Sequence, residues 1–466
     1  MRRKWIAFAG CLLVMVTLAN AQTSTATSSA ADEMEALKQK IKEQDRRIEQ
    51  LEAIKGQDQD TYRQIQREEI LKILKEMKIE GDKHSDLRVF WKEGVRMETG
   101  DGEFKLHLGT RIQTDWAWFK TNDFKEKKPL GNKDIPDGAE LRRLFLTLDG
   151  QIYKDLEFKT EIDFAGGTAK PQDIYVRMKN IPIAGNLTVG HFNEPYGMEQ
   201  LTSNANTTFM ERSLADAFAP GKNMGFMLNN AFLQDESKTH RLTAAGGFYR
   251  DTDDFAYGTG DGRYAGTFRL TGLPYYANKG NQLWHVGSAF STRSSDPVRF
   301  RHRPEAHLAP YLVDTRNMNT DNTNLWNAET AVVFGPFHAE GEFDYANVNR
   351  HDDDTVAFNG WTGSAGYFLT GETRPYSTAS GTWGRVVPKK NFRENGGLGA
   401  WEIASRYSAI DLNDQNVEGG RMEDVTVGLN WYLNPNVKVM WNYIHSTQNT
   451  WDTSEDTFMM RFQVDF

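Results

Sequence analysis

VTVGLNWYLNPNVKVMWNYIH, residues 425–445, carries the pattern that decides the fold. Val425, Val427, Leu429, Trp431 and Leu433 alternate with Thr426, Gly428, Asn430 and Tyr432, and Asn434-Pro435-Asn436 reads as a tight turn into the next strand. A period of two gives a strand one apolar face and one polar face. The same alternation recurs outward from here. Phe458, Met460, Phe462, Val464 and Phe466 oppose Arg461, Gln463 and Asp465. Leu156, Phe158, Ile162 and Phe164 oppose Glu157, Lys159, Glu161 and Asp163. Leu106, Leu108, Ile112, Trp116 and Trp118 oppose Lys105, His107, Arg111, Gln113 and Asp115. A soluble sandwich would alternate too. Here the polar face carries full charges on strand after strand, and aromatics cap the apolar face, as a transmembrane barrel with a wet interior requires.

Tight connections at 153–155 (YKD), 335–337 (GPF) and 434–436 (NPN) are interleaved with long Gly/Asn/Asp-rich segments at 119–138, 193–222 and 411–420. Short turns on one rim and long loops on the other are the habit of bacterial barrels, and the walk yields about sixteen strands, an even number. The sheet must close, because an open edge in lipid would leave backbone donors unpaired. Phe466, last on an apolar-out strand, fits the same architecture. The expected fold is an all-β transmembrane barrel over residues 85–466, preceded by an α-helical coiled-coil segment.

Composition agrees. The 466 residues are 39% hydrophobic and 12% aromatic, with 40 Gly and a formal charge of −9. Mean hydropathy is −0.63, and the only long apolar run is N-terminal, which excludes a helical membrane protein. The charge has the wrong sign for a nucleic-acid binder. So many aromatics exclude a disordered chain. Cys11 is the single cysteine, so neither a disulfide framework nor a Cys-rich metal site is available.

Residues 1–21 read as an export signal: Arg2, Arg3 and Lys4, an apolar run from Trp5 to Leu18, and the small-x-small site Ala19-Asn20-Ala21. Its removal leaves 52 basic residues against 64 acidic ones. Residues 22–31 form a Ser/Thr/Ala-rich flexible lead. Over 32–84, Met34, Leu37, Ile41, Ile48 and Leu51 fall on alternating three- and four-residue steps, with Gln44 filling the missing core position, a short heptad seam. This periplasmic segment is expected either to oligomerise, as a trimer, or to act as a spacer to the cell wall with peptidoglycan as its partner.

Three groups of residues resemble the phosphate-selective porin O and P family. They are LRRLFLTLDGQIYKDLEFKTEIDFAGG (141–167) with the stretch 172–226, which contains FMERSLADAFAPGKN; RPEAHLAPYLVDT (303–315); and GAWEIASRYSAIDLND (399–414) with 425–445. The resemblance implies a homotrimeric sixteen-stranded channel in the bacterial outer membrane, with loops folded inward and inorganic anions, phosphate or polyphosphate, as the solute.

Three non-strand segments are long enough to constrict the lumen. Residues 193–222 carry Glu211, Arg212 and Lys222, with a short helix expected over Thr208–Ala217. Residues 296–323 carry Arg299, Arg301 and Arg303 at a spacing that sets three guanidiniums on one side. Residues 371–397, on the short-turn rim, carry Arg374, Arg385, Lys389, Lys390 and Arg393. With the wall residues Arg111, Arg143, Arg177, Arg406, Lys438 and Arg461, these define the candidate anion path, since rings of Arg or Lys select anions. Against this, residues 85–466 hold 40 basic and 50 acidic residues, and Glu157, Glu161, Asp163, Glu340, Glu342 and Asp344 also face the lumen.

Catalytic motifs do not emerge. Glu157, Glu161 and Asp163 share a wall rather than flanking a bond, and the ten His lack HxxxH or HExxH spacing. Neither GxSxG nor a phosphate-cradling Gly loop is found. The expectation is a porin without enzymatic activity, cofactor or metal, surrounded by outer-membrane lipid. The alternative is a general, non-selective porin whose coiled coil tethers the outer membrane to the cell wall.

Overall fold

The computed structural model describes residues 39, 42–43, 86–121, 135–235, 239–449 and 453–466. Gln39, Lys42 and Glu43 are helical. The export signal, the lead and the rest of the coiled-coil expectation lie outside the described residues.

A hairpin, β1 (Leu87–Trp91) and β2 (Val95–Thr99), precedes the barrel. The wall begins with β3 (Lys105–Thr121), β4 (Gly138–Ile152), β5 (Leu156–Asp163), β6 (Lys170–Ile181) and β7 (Gly185–Asn193). It continues with β8 (Lys222–Gln234), β9 (His240–Arg250), β10 (Tyr264–Ala277) and β11 (Gln282–Arg293). A two-residue ladder, β12 (Arg301–His302) with β13 (Val313–Asp314), interrupts it. Then come β14 (Thr320–Phe334), β15 (Phe337–Arg350) and β16 (Val356–Phe368), and a second small ladder, β17 (Tyr376–Ser377) with β18 (Thr382–Trp383). The wall ends with β19 (Ala400–Asp414), β20 (Val417–Asn434), β21 (Val437–Gln448) and β22 (Thr453–Asp465).

Without the hairpin and the two small ladders, sixteen antiparallel strands remain, each bonded to its sequence neighbour in the wall. β22 pairs back onto β3, from Glu455 opposite Thr121 to Asp465 opposite Arg111, so the cylinder is closed. The side chains obey the alternation. Val425, Val427, Phe458 and Phe462 are exposed on the outside, whereas Thr426, Asn430, Arg461 and Gln463 are buried inside. Charge within and hydrocarbon without inverts the soluble arrangement, as lipid demands.

Two expectations need correction. Residues 411–420 are no long loop: β19 and β20 extend over them and turn at Gln415–Asn416. Continued ladder bonding between polar residues is possible there because strands that leave the membrane no longer need an apolar face. The helix expected over 208–217 is replaced by one α-turn at Met198–Leu201 and a 3₁₀ turn at Leu214–Phe218. Pro220 and Gly221 leave the segment too short for a cooperative helix.

The lumen is unequally filled. Residues 194–221 enter from the long-loop rim, and residues 369–399 from the short-turn rim. They meet where the Trp383 amide donates to Thr202 Oγ1 (3.2 Å) and Arg374 Nη2 donates to the Asn206 carbonyl (2.5 Å). Leu214 and Phe218 pack with Phe300, Val313, Phe358 and Ile410 beneath the third segment, 294–319. Inward residues of β14–β22 are therefore largely buried, while Lys159, Tyr175 and Arg177 on β5 and β6 stay half exposed. The open half runs along the early strands.

Candidate functional site

The constriction is anchored by ion pairs to the wall. Arg461 on β22 holds Asp115 on β3 with two bonds (2.7 and 2.6 Å) and also reaches Glu211 (2.6 Å) and the Met210 carbonyl. Arg406 on β19 pairs with Glu305 (2.5 Å) and Glu199 (3.1 Å) and lies over the Phe209 ring. Lys438 on β21 donates to the Thr207 carbonyl (3.1 Å). Glu342 accepts from the Glu199 amide (2.5 Å). Gly197 next to it has φ +68°, and a Cβ there would come within 2.9 Å of Glu342 Oε2. Arg269 on β10 binds Glu329 (2.5 Å) and the Ser380 and Gly381 carbonyls (2.9 and 2.8 Å), fixing the short-turn segment.

These anchors explain where the negative charge goes. Glu305, Glu329, Glu342, Asp344, Glu402 and Asp424 are all buried in the filled half. Glu305 and Glu342 attach loop to wall directly and Glu329 does so through Arg269, whereas Glu402 and Asp424 bond the wall residues His338, Asn430, Tyr432 and Ser446.

The open half is basic. A cavity of about 850 Å³ is lined by ten basic side chains against six carboxylates, among them Arg111, Arg142, Arg143, Arg212 and Lys222. An adjoining cavity of about 350 Å³ contains Arg301, Arg303, His302, His307 and Tyr311, and it shares Arg142, Arg143 and Arg212 with the first. At the short-turn rim a third space of about 520 Å³ lies between the β1–β2 hairpin and β5–β6, with Lys92, Arg96 and Lys105, and meets the large cavity at Lys159.

Arg142 and Arg143 are consecutive, yet both reach Glu211: Arg142 by two bonds of 2.9 Å and Arg143 at 3.9 Å. A regular strand would send them to opposite faces. Opposite them the register shifts between Gln113 and Thr114, so Gln113 faces Arg143 and Thr114 faces Leu141. Arg142 is the extra residue of a β-bulge, which re-aims a side chain in this way. Strict alternation missed Arg142. The LRRL sequence was the available signal, but only the bulge makes it legible.

Burial alone would raise the Glu211 carboxyl, but Arg142, Arg143 and Arg461 outweigh that and hold it well below the ordinary range. Asp216 goes the other way. Burial, helped by Glu199 and Glu211, lifts it to about 6 against the pull of Arg212. Burial also lowers His302, keeping it neutral.

The other expected path residues divide into groups. Arg111 donates to Asn204 Oδ1 (2.5 Å) and Ser203 and lies over Phe145, without a carboxylate partner among the described residues. Lys222 and Lys159 flank Asp173. Arg212 donates to the Gln200 carbonyl (2.9 Å). Arg177 sits over Tyr175 and near Glu157 (3.7 Å). Arg299 is paired with Asp314, whereas Arg301 and Arg303 lie 4.0 and 4.5 Å from the Tyr311 ring centre. The three guanidiniums are thus not equivalent. Arg385 binds Asp465 and the Pro435 carbonyl (2.6 Å) at the short-turn rim. Arg406, Lys438 and Arg461 are buried under the loop they hold rather than open to solvent. Lys389, Lys390 and Arg393 are exposed on the rim, with Arg393 over Phe392, whose ring packs against the outward-facing Trp431.

A family model described as phosphate-selective porin O and P matches residues 108–466. The chain belongs to that family. Porin O of Pseudomonas aeruginosa is 28% identical over 429 residues, 82% of this chain and 93% of the relative. A relative from Caulobacter vibrioides is 27% identical over 367 residues, 76% of this chain and 71% of its own. Among solved structures, an anion-selective porin from Comamonas acidovorans covers 78% of this chain and 100% of its own, at 12% identity and a TM-score of 0.49. This porin is an outer-membrane channel, and the cavities of its open half lie along the early strands. Short turns mark the periplasmic side of such barrels.

Proposed function

We propose that this porin passes small inorganic anions, phosphate or polyphosphate in particular, along the wall of β3–β8. The single observation that carries the reading is the pair of cavities sharing Arg142, Arg143 and Arg212, where basic side chains outnumber carboxylates by ten to six in the larger and by five to three in the smaller. Guanidiniums match phosphate oxygens bidentately, and low-dielectric walls focus their field. The family's description names the same solute class. Arg111, Arg301, Arg303 and Lys222 extend the basic surface on either side.

Reversal potentials across bilayers in asymmetric KCl test the sign, with chloride preference expected and cation preference overturning it. Phosphate and polyphosphate, added as competitors, are expected to block chloride current at lower concentration than sulfate.

Assembly as a homotrimer and a periplasmic position for residues 32–84, with peptidoglycan as its contact, belong to the same proposal. The hairpin β1–β2 on the short-turn rim, through which the chain reaches β3, supports that side.

A further inference from the structure

The segment between β16 and β19 works on both sides of the rim. Its first part, with Arg374 and Trp383, plugs the lumen. Its second part crosses to the outside. The Phe392 amide donates to the Leu433 carbonyl (2.7 Å), and the Phe392 ring meets Trp431 edge-on at 4.9 Å. Trp431 stacks on Trp401 (5.1 Å), and Trp401 lies parallel to Trp441 (6.4 Å), a ladder of indoles on the lipid-facing surface. Both Trp401 and Trp431 donate their indole N–H to the Leu398 carbonyl (3.3 and 2.8 Å).

The flange 387–398 is thereby pinned to the aromatic girdle. Its surface has two chemistries side by side. Val387 and Leu398 are 57% and 67% exposed. Lys389, Lys390 and Arg393 are exposed too; Lys389 Nζ donates to the Gly371 carbonyl (2.5 Å), and among the described residues none of the three side chains forms an ion pair with a carboxylate. Glu394, the exposed acid of the flange, accepts from Asn391 (2.7 Å). We propose that this flange binds the phosphate headgroup of an anionic phospholipid in the leaflet beside the short-turn rim.

Indoles favour the headgroup level of a membrane, and exposed aliphatic side chains beside them gain by reaching the acyl boundary. Cations held at that level attract anionic headgroups, at roughly fivefold in affinity for each Lys or Arg. A free phosphate would use the cations but leave Val387, Leu398 and the indole ladder without a role. The site is independent of the anion path, since it lies outside the wall.

Native mass spectrometry of the detergent-solubilised full chain, with dioleoyl phosphatidylglycerol or dioleoyl phosphatidylcholine added at equal concentration, tests it. Phosphatidylglycerol adducts are expected to dominate, and the variant K389A/K390A/R393A to lose them by about tenfold or more, down to the phosphatidylcholine level. Equal binding of the two lipids by the parent protein, or adducts unchanged in the variant, would overturn the proposal. As a check that needs no variant, brominated phosphatidylglycerol should quench tryptophan emission more than brominated phosphatidylcholine. Displacement of the lipid by millimolar inorganic phosphate would assign the cluster to the free ion instead.

Discussion

Arg461 and Asp115 face each other across the seam where the last strand closes on the first, joined by bonds of 2.7 and 2.6 Å with both side chains fully buried. The same guanidinium holds Glu211 of the constriction. One residue thus ties barrel closure to loop placement. Removing one partner of a buried pair leaves an uncompensated charge and costs on the order of 3–5 kcal/mol. Arg461→Met is expected to lower the unfolding midpoint of the detergent-solubilised barrel in urea and to make single-channel current noisier. An unchanged midpoint would show that the seam does not depend on the pair.

The bulge makes Arg142 and Arg143 a single electrostatic unit with Glu211. Arg142→Gln with Arg143→Gln removes two positive charges where two cavities join, and the ratio of chloride to potassium permeability should fall several-fold. Glu211→Gln should raise that ratio while loosening the loop, since three guanidiniums lose their common partner. Reversal potentials measure both. A ratio indifferent to all three substitutions would move the path elsewhere.

Asp216 supplies a pH dependence. Its carboxyl is lifted from 3.8 to about 6, so it is neutral at pH 5 and ionised at pH 7. Anion preference should be higher at pH 5 and decline as the pH rises through 6. Linkage has the same direction. A raised acid stabilises the folded state below its unfolded value, and that contribution is lost as pH climbs through about 6. Asp216→Asn is expected to flatten the dependence of the reversal potential over this interval; a profile as steep as the parent's would assign it to other groups.

The short-turn plug is held by Arg269, Glu329 and the Ser380 and Gly381 carbonyls. Replacing residues 376–384 by a Gly-Ser linker removes Trp383 from the lumen, and single-channel conductance should rise about twofold, in line with the idea that such long connections are functional. No change in conductance would mean that this half of the lumen carries no current even when opened.

Much of the wall was legible because it rests on a local rule. Leu108, Ile112, Phe458 and Phe462 lie outward, and Gln113, Asp115, Arg461 and Gln463 inward, because a strand repeats every two residues and lipid tolerates one face only. Loop interiors follow no such rule. The helix expected at 208–217 failed because its carbonyls bond to distant wall groups: Thr208 to Asn430, Met210 to Arg461 and Glu211 to Arg406. The 411–420 hairpin was misread because Asn and Asp, which mark turns elsewhere, here extend a ladder.

The sequence by itself determined that the chain is a closed cylinder with charge inside, since alternation, turn spacing and the need to pair every backbone group in lipid act within a few residues of each other. Only the tertiary structure decided which charges are spent and which stay open. Arg406 and Arg461 look no different in sequence from Arg111 and Arg143, but the first pair is sealed beneath a folded-in loop and the second borders the large cavity. That distinction depends on segments some two hundred residues apart meeting in space, and on a one-residue bulge that no alternation rule contains.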